Sequence, residues 1–126
     1  MESKKIIVIL ALILVLGMMA GCRATVPVKV EEAEDRLEAL AKCLSKKGAK
    51  LYGAYWCGWC NRQKEIFGEA AQHLPYIECS DRETRQMTPQ CREAGITGLP
   101  TWEFEGQKSS GFKSLEELAR LSGCSF

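Results

Sequence analysis

The chain has 126 residues, 46% apolar and 26% charged, with a formal net charge of +1 at pH 7. That length supplies one modest core and one domain. Beyond Glu2, Lys4 and Lys5 it carries as many acidic as basic residues, which argues against the clustered basic surface of a nucleic-acid binder.

Seven cysteines in so short a chain point to an oxidising compartment. The N-terminus agrees. Lys4 and Lys5 precede the unbroken apolar run Ile6 to Leu16, and Gly17 to Gly21 are mostly small. This is the pattern of a secretory signal, about fifteen apolar residues long and short of the roughly 20 that span a bilayer. Met19-Ala20-Gly21-Cys22 resembles the lipobox of bacterial lipoproteins, although Met19 stands where Leu is usual. The resemblance implies that residues 1–21 are removed and Cys22 is acylated. An uncleaved anchor and ordinary signal cleavage are the alternatives, and all three put the domain outside the cytoplasm.

Residues 22–32 read as an extended tether, with Pro27 among β-branched neighbours. Ala33 to Lys47 has Leu37, Leu40, Ala41 and Leu44 at helical spacing, and Gly48 follows as a C-cap. Lys50 to Tyr55 is a strand. A helix is predicted from near Cys57 through Phe67, bending at Gly68 and continuing to Leu74, where Pro75 breaks it. Tyr76 to Cys79 is a second strand. After a polar loop, Thr88-Pro89 has cap-then-N1 chemistry for a short helix through Ala94. Thr101 to Glu105 is a third strand, and a turn at Glu105 to Lys108 leads to an edge strand around Ser109 to Phe112. Ser114 caps a last helix, Leu115 to Leu121, which Gly123 stops.

Cys57 and Cys60 stand one helical turn apart at the predicted strand-to-helix turn, in Trp56-Cys57-Gly58-Trp59-Cys60. Unpaired amides and the helix dipole at a helix start favour a thiolate, the form that attacks disulfides. The pair suits a disulfide that opens and closes without rearranging the fold. Half a zinc site would need a second Cys-x-x-Cys, which is absent, and haem attachment would need His where Asn61 stands. A two-thiolate Cu(I) site and a merely structural bridge remain as alternatives.

Cys79 and Cys91 bracket the polar loop and are expected to form a structural clamp. A second redox pair relaying electrons to Cys57 and Cys60, or two free thiols, are the alternatives. Cys43 and Cys124 either pair with each other or remain a buried thiol and a loose one. His73, the only histidine, reads as a solvated cation at a helix end, and Trp102 with Phe104 as core or groove wall. Glu31 to Glu38 reads as a solvated acidic face.

The β-α-β unit bearing Cys57 and Cys60, then Gly98-Leu99-Pro100-Thr101 ahead of a hairpin and a final helix, resembles the thioredoxin fold over residues 33–126. The fold class this implies is α/β, with a central mixed sheet of about four strands flanked by helices. Gly53-Ala54-Tyr55-Trp56-Cys57, Leu74-Pro75-Tyr76-Ile77-Glu78-Cys79 and Pro100-Thr101-Trp102-Glu103-Phe104 look closest to the thioredoxin-like domain of bacterial vitamin K epoxide reductase homologues. Here that domain would stand alone behind its signal.

The resemblance implies that Cys57 is the nucleophile and Cys60 the buried resolving thiol. It implies that Pro100 is a cis-proline facing the disulfide, with the Leu99 backbone exposed to a substrate strand. Trp56, Gly58 and Trp59 would support the site. Thioredoxin carries a buried acid six residues before its first cysteine, where this chain has Leu51, and Gly58-Trp59 matches neither thioredoxin nor the disulfide isomerases. Tyr52, Tyr55, Trp56 and Trp59 are expected to form an apolar rim for polypeptide or a membrane partner.

The function expected is an extracytoplasmic, membrane-tethered protein thiol–disulfide oxidoreductase. It would be a monomer with no dissociable cofactor and no metal, re-oxidised by a quinone-linked membrane enzyme of vitamin K epoxide reductase type. The alternatives are a disulfide reductase fed by a transmembrane donor and a Cu(I) metallochaperone.

Overall fold

The computed structural model describes residues 28–126. The signal segment and Cys22 lie outside the described residues. Helix α1 (Val28–Lys46) lays Leu40, Ala41 and Leu44 into the core, where all three are fully buried. It is already helical at Val28, the first described residue, so Val28 to Glu32 are helical rather than extended. Extending a helix already anchored by packing adds one hydrogen bond per residue fixed, and no Gly or Pro interrupts this stretch.

Strand β1 (Lys50–Gly53) pairs in parallel with β2 (Tyr76–Glu78) and antiparallel with β3 (Thr101–Phe104), which pairs antiparallel with β4 (Gln107–Ser110). The sheet order is β2-β1-β3-β4. Between β1 and β2 lie α2 (Gly58–Glu65) and a 3-10 segment (Gly68–His73). The expected single helix to Leu74 is therefore divided. Gly68 adopts φ 52°, a left-handed conformation that ends α-helical geometry and that glycine enters cheaply. Helix α3 (Pro89–Glu93) and helix α4 (Leu115–Ser122) complete the chain. Thr88 precedes Pro89 as expected, but its side chain makes no capping bond. Ser114 does cap α4, its hydroxyl accepting the Glu117 amide at 3.2 Å.

Leu51 and Tyr52, adjacent in β1, serve different clusters. Leu51 joins the main core of Leu40, Leu44, Phe67, Trp102 and Leu118. Trp102 is fully buried and stacks on Phe104 with ring centroids 5.7 Å apart. Tyr52 packs with Cys79, Cys91 and Ile96 in a second, smaller core. Its hydroxyl donates to Glu103 Oε2 at 3.1 Å, and Lys50 Nζ reaches Glu103 Oε1 at 2.8 Å. The Lys50 bond holds the Glu103 carboxyl below its ordinary range.

Two further disulfides cross-link the elements around the two cores. Cys43 on α1 is bonded to Cys124 beyond α4, with Cα atoms 6.1 Å apart, and Cys79 to Cys91, 5.5 Å apart. The fold is thioredoxin-like: an open mixed sheet flanked by helices.

Candidate active site

The chain leaves β1 at Gly53, turns through Ala54 to Trp56, and enters α2 behind Cys57. The turn is closed by the Cys57 amide donating to Ala54 O at 3.0 Å and by Asn61 Nδ2 donating to Tyr55 O at 3.2 Å. Cys57 is the N-cap of α2, and its Sγ accepts the Cys60 amide at 3.2 Å. The two cysteines are bonded, with Cα atoms 5.2 Å apart. Cys60 is 0% exposed and Cys57 is 8% exposed. An incoming sulfur therefore meets Cys57 first.

Gly53 is bare for a steric reason. A Cβ there would lie 2.7 Å from Tyr76 Cε2, 3.1 Å from Tyr76 Oη and 3.2 Å from Cys60 Cβ. Gly53→Ala is thus expected to destabilise the fold by about 1–3 kcal/mol through overpacking, as read by urea unfolding. An unchanged midpoint would mean that Tyr76 swings aside without cost.

Glu78, at the end of β2, organises the turn from the neighbouring strand. Its Oε1 accepts the amides of Tyr55 at 3.3 Å and Ser80 at 3.0 Å, and its Oε2 accepts the Tyr76 hydroxyl at 3.1 Å. Burial, reinforced by the Glu78 charge, pushes the Tyr76 hydroxyl well above its usual range, so it remains a donor. Ser80 Oγ in turn accepts the Trp56 indole N–H at 2.7 Å. Sequence reasoning passed over Glu78 and Ser80. The signal available was topological: strands paired in parallel end side by side, so residues closing β2 must flank the turn that follows β1.

The Leu99–Pro100 bond is cis, and Leu99 packs against Ala54, Cys57 and Cys60. Thr101 Oγ1 occupies the Gly98 carbonyl at 2.8 Å, whereas the Leu99 amide and carbonyl have no hydrogen-bond partner among the described residues. Beside them opens a cavity of about 350 Å³, walled by Trp56, Cys57, Ser80, Met87 and Leu99, with Arg85 also lining it. Cys79 reaches the same cavity, although Cys79 and Cys91 are 1% and 0% exposed.

The expected aromatic rim is narrower than the sequence suggested. Trp56 is 50% and Trp59 65% exposed, and Tyr55 is half-buried, but Tyr52 is only 3% exposed because it faces the second core. Trp59 lies 6.0 Å from Phe112, ring centroid to centroid, and Gly58 has open space where a Cβ would stand. Leu51 lies in the main core, so β1 brings no acid to Cys60. His73 ends the 3-10 segment 3.6 Å from Glu38, away from the cysteines. Among the described residues no three His, Cys, Asp or Glu cluster as a metal site, and no helix is long and apolar enough to cross a membrane.

No family model matches the chain. Over 91 residues it is 45% identical to the thiol-disulfide oxidoreductase LTO1 of Arabidopsis thaliana. The alignment covers 69% of this chain and 24% of that protein, so the chain spans about a quarter of its relative's length. The relative's name describes the chemistry that a bonded Cys57–Cys60 pair at a helix start is suited to perform.

Proposed function

We propose that this chain is a thiol–disulfide oxidoreductase that oxidises protein dithiols through Cys57 and Cys60. The observation that carries this is the asymmetry of the two sulfurs. Cys57 caps α2, accepts an amide hydrogen bond and borders an open cavity, whereas Cys60 is sealed beneath it. A substrate thiolate attacks Cys57 Sγ, the Cys57–Cys60 bond breaks, and its electron pair departs on Cys60, which takes up a proton. The substrate's second thiolate then attacks the substrate sulfur of the mixed disulfide and releases Cys57 as a thiolate. The Cys60 amide and the helix terminus stabilise that thiolate and so favour the reduced enzyme, the property of an oxidant. The free Leu99 amide and carbonyl suit an extended substrate segment beside Cys57.

The setting proposed is extracytoplasmic. The signal-like residues 1–21 and the abundance of cysteine support it, with a lipid on Cys22 as tether. Re-oxidation would come from a quinone-linked membrane enzyme of vitamin K epoxide reductase type, a partner suggested by sequence resemblance.

Oxidised chain mixed anaerobically with a dithiol peptide is expected to oxidise one peptide per chain, and the Cys57→Ser variant none. Recovery of unreacted peptide at every ratio would overturn the proposal. Cys22→Ala is expected to move the protein from the membrane to the soluble fraction, and retention on the membrane would remove the lipid tether.

A further inference from the structure

We propose that Arg85 makes the groove beside Cys57 selective for polypeptide segments with an acidic side chain next to the reacting cysteine. The inference names the substrate of the exchange proposed above and rests on that function. Arg85 and Cys57 line one cavity with the apolar Trp56, Met87 and Leu99 and the polar Ser80 and Thr97. Arg85 forms no ion pair among the described residues. Two nearby acids are engaged: Glu78 accepts two amides and the Tyr76 hydroxyl, and Asp81 Oδ1 accepts the Glu83 and Thr84 amides and the Thr84 hydroxyl. Glu83, on the same turn, does not line the cavity. A second cation of the same turn, Arg82, lies 5.2 Å over the Tyr55 ring and does not line the cavity.

The turn fixes the Arg85 backbone, while its side chain is exposed. That backbone has φ 58°, a left-handed conformation uncommon outside glycine and sustained only where surrounding bonds over-determine it. Here the Arg85 amide donates to Asp81 O at 2.9 Å and the Asp81 amide to Gln86 O at 2.9 Å. The turn springs from the Ser80–Met87 bridge, whose Ser80 also anchors Trp56. An exposed cation carried on a fixed backbone at the edge of this slot attracts a carboxylate. The unpaired Leu99 backbone beside it favours a polypeptide over a small thiol as the carrier.

The test reads charge and substrate separately. In the reduced chain, the rates of Cys57 alkylation by iodoacetate and iodoacetamide are compared by mass spectrometry, and their ratio cancels the thiolate fraction. Arg85→Gly removes the charge and suits the backbone, whereas Arg85→Lys keeps the charge. The iodoacetate-to-iodoacetamide ratio is expected to fall about threefold in Arg85→Gly, the size of an exposed charge pair. It should persist in Arg85→Lys and fall in wild type at about 1 M salt. Equal ratios in wild type and Arg85→Gly would overturn the inference.

In the second arm, wild type is expected to oxidise a Glu-flanked dithiol peptide about threefold faster in kcat/KM than a Lys-flanked one, a preference lost in Arg85→Gly. Faster reaction with glutathione than with either peptide would overturn the polypeptide assignment. No exchange with any thiol, alongside a ratio that still falls in Arg85→Gly, would instead overturn the oxidoreductase function.

Discussion

A Cys60→Ala variant is expected to accumulate mixed disulfides between Cys57 and substrate proteins, visible on non-reducing gels and dissolved by dithiothreitol. Cys60 Sγ is the sulfur that resolves such an adduct, and its place beneath Cys57 makes that attack intramolecular. An oriented neighbouring thiol acts at an effective concentration far above the roughly millimolar thiols in solution, so its removal should lengthen the adduct's life on the order of 10³-fold. The fold should survive. Cys60 is fully buried, but the change to Ala deletes one atom, for a cost of about 1 kcal/mol. The Cys57→Ser, Cys60→Ala double variant should form no adduct. Adducts that persist without Cys57 would move the reactive sulfur elsewhere, and an absence of adducts in Cys60→Ala would remove covalent exchange from the account.

Replacing Cys43 and Cys124 together by Ser should destabilise the domain more than any other change short of emptying the core. The bridge closes a loop with a sequence separation of 81, against 12 for Cys79–Cys91. Loop-closure entropy assigns about 4–5 kcal/mol to the longer ring and about 3 kcal/mol to the shorter. A small domain has only about 5–15 kcal/mol in total, so the first loss consumes much of it. The geometry explains the leverage. Cys124 follows α4 and joins the main core, and the bond staples the end of the chain to α1, the helix that covers the same core. Urea unfolding under non-reducing conditions, followed by far-ultraviolet circular dichroism, measures both double variants. A larger loss for Cys79→Ser, Cys91→Ser than for Cys43→Ser, Cys124→Ser would contradict this ordering.

Local chemistry made much of this structure legible. Cys57 and Cys60 announce a strand-to-helix turn, and the structure provides it between Gly53 and Gly58. Ser114 and Gly123 bracket α4 as cap chemistry requires, Gly123 with φ 67°. Pro75 and Pro89 mark boundaries that the backbone observes. What stayed hidden depended on distance in sequence. The Cys43–Cys124 pairing was open because nothing local sets a contact across 81 residues. Tyr52 looked like a rim aromatic because alternation along β1 does not say which face meets Glu103 and Cys79. Glu78 and Ser80 looked like a strand end and a loop start, and only the parallel pairing of β1 with β2 brings them to the active-site turn. Arg85 read as one charge in a polar loop until its backbone conformation and the cavity at Cys57 were joined.

The most direct measurement is a redox titration of the domain against glutathione buffers, followed by tryptophan fluorescence, since Trp56 and Trp59 flank the bridge. One reversible two-electron transition that disappears in Cys57→Ser is expected, with a potential between about −120 and −200 mV, the range of disulfide donors and isomerases. A potential near −270 mV or below would reverse the electron flow proposed here. A transition that survives in Cys57→Ser would contradict the assignment of the redox centre to Cys57 and Cys60.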